Sequence, residues 1–514
     1  MNTIDLVVRN GRIYPYDTAF VEVRPLSKAR IETTWKEFDE RTNRLANGLL
    51  KKGVKKGDRV FLLGRNSISW LEAYFSIIKT GAWVNPLNFR FTAEDVAYCA
   101  AAARPACFIF DDEYAGMVSA ARLRWPSVET FINMGGLAVE GAENKESLIG
   151  ANSPLNPAAD LKDEDECGLY FTSGTTGAPK PILLLHKNLF GTAVNEVTNL
   201  LLTKEDALLM IPPMYHVAMG HLLGSMLAGA KTVLLTEAVT PRAIFESVDK
   251  EKLRVVFLLV PWVLDLLEAL DKGELSKNDY DLRGWRILQM GAQPIPTSLV
   301  RRWKEYFPLM ECHNTYGLSE TMGPGTIHNR LDDEDKIGAI GKPGLLWDAR
   351  IVDNLGEDVP RGEVGEIVVK GMGVMKEYYK NPELTARTLV NGWLRTGDLG
   401  KMDKDGFIYL VDRQKDLVIS GGENVYPVEV EEVIQKHPKV RDVAVIGTAD
   451  ERLGEVVTAI IDPVDDGTLT EQEVALFCEQ NLPRYKRPRR IIFGSVPRSA
   501  TGKIEKPKLR ARYK

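Results

Sequence analysis

The sequence predicts an α/β protein of more than one domain. A large N-terminal part of βαβ units with parallel sheets and a β-rich subdomain comes first, then a small α+β domain. Three observations carry this. Short apolar runs alternate with helical patterns over the first two-thirds of the 514 residues. The texture turns glycine-rich and strand-like from about Ile337 to Val411. Helix and strand patterns resume after Arg413 for about one hundred residues, a common domain size. The expected units are therefore 1–412, with the β-rich subdomain at about 337–411, and 413–514.

The elements follow in order. Arg59-Val60-Phe61-Leu62-Leu63-Gly64 reads as a buried strand. Ser67 caps a helix ending near Lys79, with Trp70, Tyr74, Ile77 and Ile78 on one face. Ala106 to Phe110, Val255 to Val260 and Trp285 to Met290 read as further strands, and Thr297 to about Tyr306 as a helix. Strands alternating with helices indicate βαβ units, whose ligands sit beyond the strands' carboxyl ends. In the glycine-rich section, Glu366-Ile367-Val368-Val369 is a short strand. Asp405-Gly406 before Phe407-Ile408-Tyr409-Leu410 is a hairpin signal. Beyond the polar run Asp412 to Asp416, a helix is expected from Pro427 to about His437. Strands at Val443–Ile446 and Val456–Ile461, a helix at Glu471–Gln480 and a strand at Arg490–Phe493 complete the chain.

Composition narrows the class. Apolar residues make up 44% and charged residues 27%, so the chain is neither disordered nor fibrous. Lys and Arg number 66 against 71 Asp and Glu, a net charge of −5, the wrong sign for a nucleic-acid partner. Five cysteines (Cys99, Cys107, Cys167, Cys312 and Cys478) show no C-x-x-C spacing, which fits a reducing compartment and no zinc site. The six histidines show no metal-ligand spacing. The N-terminus lacks a signal-peptide pattern, and Pro261 and Asp265 interrupt the most apolar stretch, Val255 to Leu270. A cytoplasmic multidomain enzyme without a membrane span is expected. For assembly, a homodimer is the one state kept open.

The segment richest in chemistry is Tyr170-Phe171-Thr172-Ser173-Gly174-Thr175-Thr176-Gly177-Ala178-Pro179-Lys180. Glycines let backbone N–H groups converge on an anion, hydroxyls add donors, and Lys180 supplies a point charge. A phosphate site follows. It is not a Walker A loop, which needs Gly-Lys-Ser/Thr opening a helix; here two residues separate Gly177 from Lys180, and Pro181 comes next.

This segment resembles the phosphate loop of the adenylate-forming superfamily, which comprises acyl-CoA synthetases, adenylation domains of peptide synthetases and luciferase-type enzymes. Further motifs resemble that family in the same order: Pro213-Met214-Tyr215-His216, Gly291-Ala292-Gln293-Pro294, Tyr316-Gly317-Leu318-Ser319-Glu320, Arg395-Thr396-Gly397-Asp398, Asp412 to Asp416, Gly421-Gly422-Glu423-Asn424-Val425, and Pro497 to Ile504. The resemblance runs from about Trp35 onward. It implies that a carboxylate attacks the α-phosphorus of ATP, giving an acyl-adenylate and pyrophosphate, and that the thiol of coenzyme A then displaces AMP. Thr172, Ser173, Gly174, Thr175, Thr176, Gly177 and Lys180 would hold phosphates, and Glu320 would help hold Mg²⁺. Gly291, Ala292, Gln293, Tyr316 and Gly317 would line the adenine, with the Ser319 hydroxyl in place of the family's usual threonine. Asp398 would take the ribose hydroxyls with Arg413 beside it. His216 would lie on the acid's side. Lys503 would reach the carboxylate and phosphate oxygens during adenylation. Lys415 would be the hinge of a mobile C-terminal domain, which after rotation presents Gly421 and Gly422 to the pantetheine arm.

The acid is less sharply marked. Amino-acid-activating relatives place an Asp just past the Tyr215 region, where Val217, Ala218 and Met219 offer none. Acetate-specific relatives plug the pocket with Trp where Gly317 stands. A medium-chain or cyclic or aromatic acid is therefore expected rather than acetate. Two alternatives remain: loading of a carrier protein in place of CoA, and a non-catalytic nucleotide- or lipid-binding relative.

Overall fold

A computed structural model describes residues 2–513 apart from 158, 173–178, 217, 292–294, 332, 421–422, 451, 466, 468 and 499–502. Three sheets organise the chain. In the first, Trp83–Pro86, Arg59–Leu63, Cys107–Phe110 and Thr130–Asn133 run parallel, while Glu166–Thr172 pairs antiparallel with Lys180–Leu185 at the other side. The Ser67 Oγ accepts from Trp70 N at 3.0 Å and starts the helix Ile68–Lys79. That helix is buried on nearly every face rather than on one. It packs on strands of both the first and second sheets, so it has no solvent side. Even Lys79 is enclosed. Its ammonium donates to Asp39 Oδ1 at 2.6 Å, Thr42 Oγ1 at 2.8 Å and Asn43 Oδ1 at 2.6 Å.

The second sheet has 14 strands and changes character midway. Thr18–Arg24, Lys231–Leu235, Ala207–Met210, Val255–Phe257, Ile287–Gly291 and Glu311–Leu318 are successive parallel neighbours. From Gly323–His328 onward the neighbours are antiparallel: Ala339–Pro343, Ile408–Arg413, Trp393–Met402, Val364–Gly371 and Trp347–Val352. The glycine-rich section is thus a continuation of the large sheet. The strand expected at Val255 to Val260 stops at Phe257, and a helix begins at Val260. Pro261 in its first turn explains the switch: its fixed φ suits a helix start, where a missing N–H costs nothing. The helices Pro241–Glu251, Val260–Asp271 and Thr297–Tyr306 cover one face with a core that includes Leu266, Leu288, Met290 and Trp303.

The third sheet is built on the antiparallel pair Val440–Asp450 and Gly454–Pro463. Arg490–Phe493 pairs parallel with the latter, Val418–Ser420 pairs antiparallel with the beginning of that same strand, and Glu423–Val425 lies outside Val418–Ser420. Helices Pro427–Ile434 and Glu471–Asn481 pack over it through Val430, Ile434, Val474 and Cys478. The architecture is therefore mixed α/β, with a large N-terminal domain of parallel sheets and a smaller C-terminal domain. None of the five cysteines is in a disulfide, and all five are buried. Among the described residues no helix is long and apolar enough to cross a membrane.

Candidate active site

The phosphate-loop motif springs from a hairpin. Thr172 and Lys180 face each other at the paired ends of their strands, and Thr172 is buried. Ser173, Gly174, Thr175, Thr176 and Gly177 lie outside the described residues. The Lys180 ammonium stands 6.0 Å from the ring centroid of Tyr378. That ring is carried by the short strand Glu377–Tyr378, where Tyr378 pairs with Ile182. The Tyr378 hydroxyl donates to Glu320 Oε1 at 2.9 Å. One tyrosine therefore joins the lysine of the loop to the carboxylate of the Tyr-Gly-Leu-Ser-Glu motif.

The strands Ile287–Gly291 and Glu311–Leu318 end side by side, with Gly291 opposite Thr315. A Cβ on Gly291 would lie 2.7 Å from both the carbonyl oxygen and Oγ1 of Thr315, so only glycine allows this approach. Ala292 and Gln293 lie outside the described residues. Tyr316 donates its hydroxyl to Asp398 Oδ2 at 2.7 Å. Asp398 is buried and faces Arg413 across the hairpin, with Arg413 Nε 3.4 Å from Oδ1. Gly317 follows Tyr316 at a register shift in the strand. The Ser319 hydroxyl and His216 Nε2 are 3.0 Å apart. Desolvation, with the charge of Lys503 adding to it, pushes the His216 ring down to about 3, so the imidazole is neutral.

Lys503 comes from the C-terminal sheet's side. Arg498 and Ile504 form an isolated bridge at the base of its loop, and the Arg498 guanidinium grips both Asp442 oxygens at 2.8 and 2.7 Å. The half-buried Lys503 lies within electrostatic range of Arg413, Asp398, Glu320 and Lys415. Desolvation, then repulsion by Arg413, push its ammonium down to about 8, while Asp398 and Glu320 pull the other way. Lys415 senses Asp416, Arg413 and Asp398. Around it, Gln414 N donates to Gly397 O at 3.0 Å, Val428 N donates to Asp412 Oδ2 at 2.9 Å, and Arg510 pairs with Asp416 at 2.8 Å. Gly421 and Gly422 lie outside the described residues.

The structure thus gathers His216, Tyr316, Ser319, Glu320, Asp398, Arg413, Lys415 and Lys503 around one cleft, with Lys180 joined through Tyr378. Sequence reasoning missed Tyr378. Its only local signal is an aromatic pair, Tyr378-Tyr379, before the Asn381-Pro382 turn. It also missed Glu366, whose Oε1 accepts from Gly397 N at 3.1 Å and fixes the turn that carries Asp398.

Mg²⁺ can be tested against this donor set. No group of three His, Cys, Asp or Glu among the described residues could hold a metal. Glu320 is a single carboxylate with one oxygen engaged by Tyr378. This suits a hard cation that arrives on phosphates and takes one or two protein oxygens, not a caged ion.

The chain matches the family model for AMP-binding enzyme over residues 8–379 and that for the AMP-binding enzyme C-terminal domain over 429–503. It is 34% identical over 512 residues to a feruloyl-CoA synthase from Amycolatopsis sp, covering 98% of each chain. It is 31% identical to the long-chain-fatty-acid–CoA ligase FadD13 of Mycobacterium tuberculosis, over 100% of this chain and 99% of that one. Its fold is similar to the crystal structure of the anthranilate CoA ligase AuaEII in complex with anthranoyl-AMP, with TM-score 0.90 and 27% identity over 100% of this chain and 97% of that one. With both family models matched in order and relatives aligned end to end, the chain belongs to the AMP-binding enzyme family, among its AMP-forming acid:CoA ligases.

Proposed function

We propose that this enzyme activates a medium-chain or cyclic or aromatic carboxylic acid in two steps, through an acyl-adenylate and then a CoA thioester. The observation that carries the reading is the convergence of Lys503 from the small domain on Asp398, Glu320 and His216 of the large one. Two anions must meet when a carboxylate attacks a phosphate, and oriented donors and cations offset their repulsion.

Each residue then has a task. Thr172, the loop after it and Lys180 hold the β and γ phosphates. Asp398 accepts from the ribose hydroxyls, and Tyr316, already tied to Asp398, presents a ring face to adenine. Neutral His216 cannot repel the charge of Lys503, and the Ser319 hydroxyl fixes its ring. Lys503 steadies the carboxylate and phosphate oxygens as they approach. Glu320 and the substrate phosphates would hold Mg²⁺, which supplies charge neutralisation on the phosphate oxygens when bound. The boundary at 412–413, with Lys415 as hinge, lets the small domain withdraw Lys503 and bring Gly421 and Gly422 to the thiol. Relatives named for feruloyl, indoleacetate and long-chain fatty acids support an acyl pocket larger than acetate needs. Five cysteines, none in a disulfide, support a reducing, cytoplasmic setting.

The test is pyrophosphate release across a panel of acids with ATP and Mg²⁺, run with and without CoA. Release with hexanoate or an aromatic acid above that with acetate, accelerated by CoA, is expected. Release indifferent to CoA but dependent on a carrier protein, or no release with any acid, would overturn the reading.

A further inference from the structure

Behind the strand ends that frame the cleft, a set of polar side chains is closed off from solvent. Glu196 of the helix His186–Leu200 is 0% exposed, His221 of the helix Ala218–Ala228 is 2% and Gln289 of the strand Ile287–Gly291 is 1%. Gln289 Nε2 donates to Glu196 Oε1 at 3.0 Å, and His221 Nδ1 lies 2.7 Å from the same oxygen. The His221 ring packs on Phe257 with centroids 4.3 Å apart. Gln289 stands between its register partners Phe257 and His313 on the neighbouring strands. The other carboxylate oxygen, Glu196 Oε2, has no hydrogen-bond partner among the described residues, and neither has His313 Nδ1. A buried acceptor is costly to leave unmatched, and an ionisable one without a partner calls for a group that completes it.

The network also lies where a bound acid would extend. Gln289 is two residues before Gly291, so both face the same side of the sheet, about 7 Å apart along the strand. Gly291 ends that strand beside Thr315 and Tyr316, and carries no side chain to block the way. His221 lies in the first turn of the helix Ala218–Ala228, which begins two residues after His216 at the reacting end. The strand and the helix therefore both run from the site of chemistry to this polar floor, with Phe257 as its apolar flank.

We infer that Glu196, His221 and Gln289 form the far wall of the acyl pocket and select acids that carry a neutral hydroxyl at the end remote from the carboxyl group, with Glu196 Oε2 accepting its proton in a hydrogen bond. The inference rests on the ligase reading above. A neutral donor suits the site because Oε1 is already met by an amide and an imidazole, and burial penalises a further charge. A site built around a substrate hydroxyl discriminates strongly against the analogue that lacks it, since its own groups are then left unpaired.

Pyrophosphate release is measured with matched pairs: cinnamate and 4-hydroxycinnamate, hexanoate and 6-hydroxyhexanoate, with 6-aminohexanoate as the charged counterpart. The wild-type enzyme is expected to favour at least one hydroxy acid over its plain partner by about 10-fold or more in kcat/KM. In Glu196→Leu and in Gln289→Met the ratio should fall to near one, through the KM of the hydroxy acid, and Glu196→Gln should restore part of it. The wild-type ratios keep the question decidable if a variant does not fold. Equal or inverted wild-type ratios, preference for the amino acid of the panel, or a hydroxy preference that both folded variants retain would overturn the inference and leave the ligase reading standing. No release with any acid overturns the ligase reading, and this inference with it.

Discussion

The hydroxyl of Tyr378 donates to Glu320 at 2.9 Å while the ammonium of Lys180 stands over the same ring at 6.0 Å. A hydrogen bond to a charged partner contributes roughly 1.5–3 kcal/mol. Tyr378→Phe should lower kcat/KM for ATP by about 10-fold to 100-fold and raise the Mg²⁺ concentration needed for half-maximal adenylation. Titration of the variant with Mg²⁺ checks this. An unchanged Mg²⁺ requirement would separate Tyr378 from the role given to Glu320.

Lys503→Ala should slow acyl-adenylate formation by about 10²–10³-fold, the usual cost of one preorganised donor. Thioester formation from pre-made acyl-adenylate should suffer less if, as proposed, the small domain turns away for that step. Single-turnover assays of the two half-reactions decide the matter. Equal losses in both would remove Lys503 from the first step.

The pH profile follows from the same lysine. The role proposed for it needs the cation, and burial beside Arg413 pushes its deprotonation down to about 8. Below that pH the ammonium persists; above it the charge is lost. The kcat/KM of adenylation, which reports the free enzyme, should therefore decline as pH rises through about 8. Lys503→Arg, whose guanidinium stays charged, should move that limb upward even if the maximum rate is lower. A flat profile from pH 7 to 9.5 would contradict the assignment.

Lys415→Pro tests the hinge. Proline fixes φ, so the arrangement that brings Lys503 to the cleft should survive while rotation away from it is blocked. Adenylation should proceed within about 3-fold of normal and the thiol step should fall by much more. Normal rates in both half-reactions would move the hinge elsewhere.

Stability can be probed far from the cleft. Asp39→Ala would strand the buried Lys79 ammonium with only neutral partners. Breaking one side of such a pair costs about 3–5 kcal/mol, seen as a marked drop in Tm. Adding Lys79→Met should recover much of the loss, because no uncompensated charge then remains. A double variant no more stable than the single one would mean that packing, not charge, governs this position.

Local patterns were readable wherever their causes were local. Ser67 announces its helix because its hydroxyl bonds three residues ahead, and Thr297 to Tyr306 stands in the structure as the periodicity predicts. Leu258 to Val260 misled because a short apolar run fits a strand or a buried helix start equally well. The single face expected of the helix Ile68–Lys79 failed because two sheets enclose it, and tertiary layering leaves no mark in a twelve-residue window. The cleft was legible as a series of motifs, through resemblance. Tyr378 and Glu320 are 58 residues apart in sequence, and Glu196 and Gln289 are 93 apart. Partnerships of that span depend on strand order, and no spacing rule reveals them.

The concealment of the five cysteines has a chemical consequence. An acyl-adenylate is an electrophile that any accessible thiolate could intercept. Burial raises the thiols of Cys99, Cys107, Cys167 and Cys478, and Cys312 is equally enclosed within its strand. The activated acyl group thus meets no sulfur nucleophile belonging to its own catalyst, and self-acylation is forestalled by architecture.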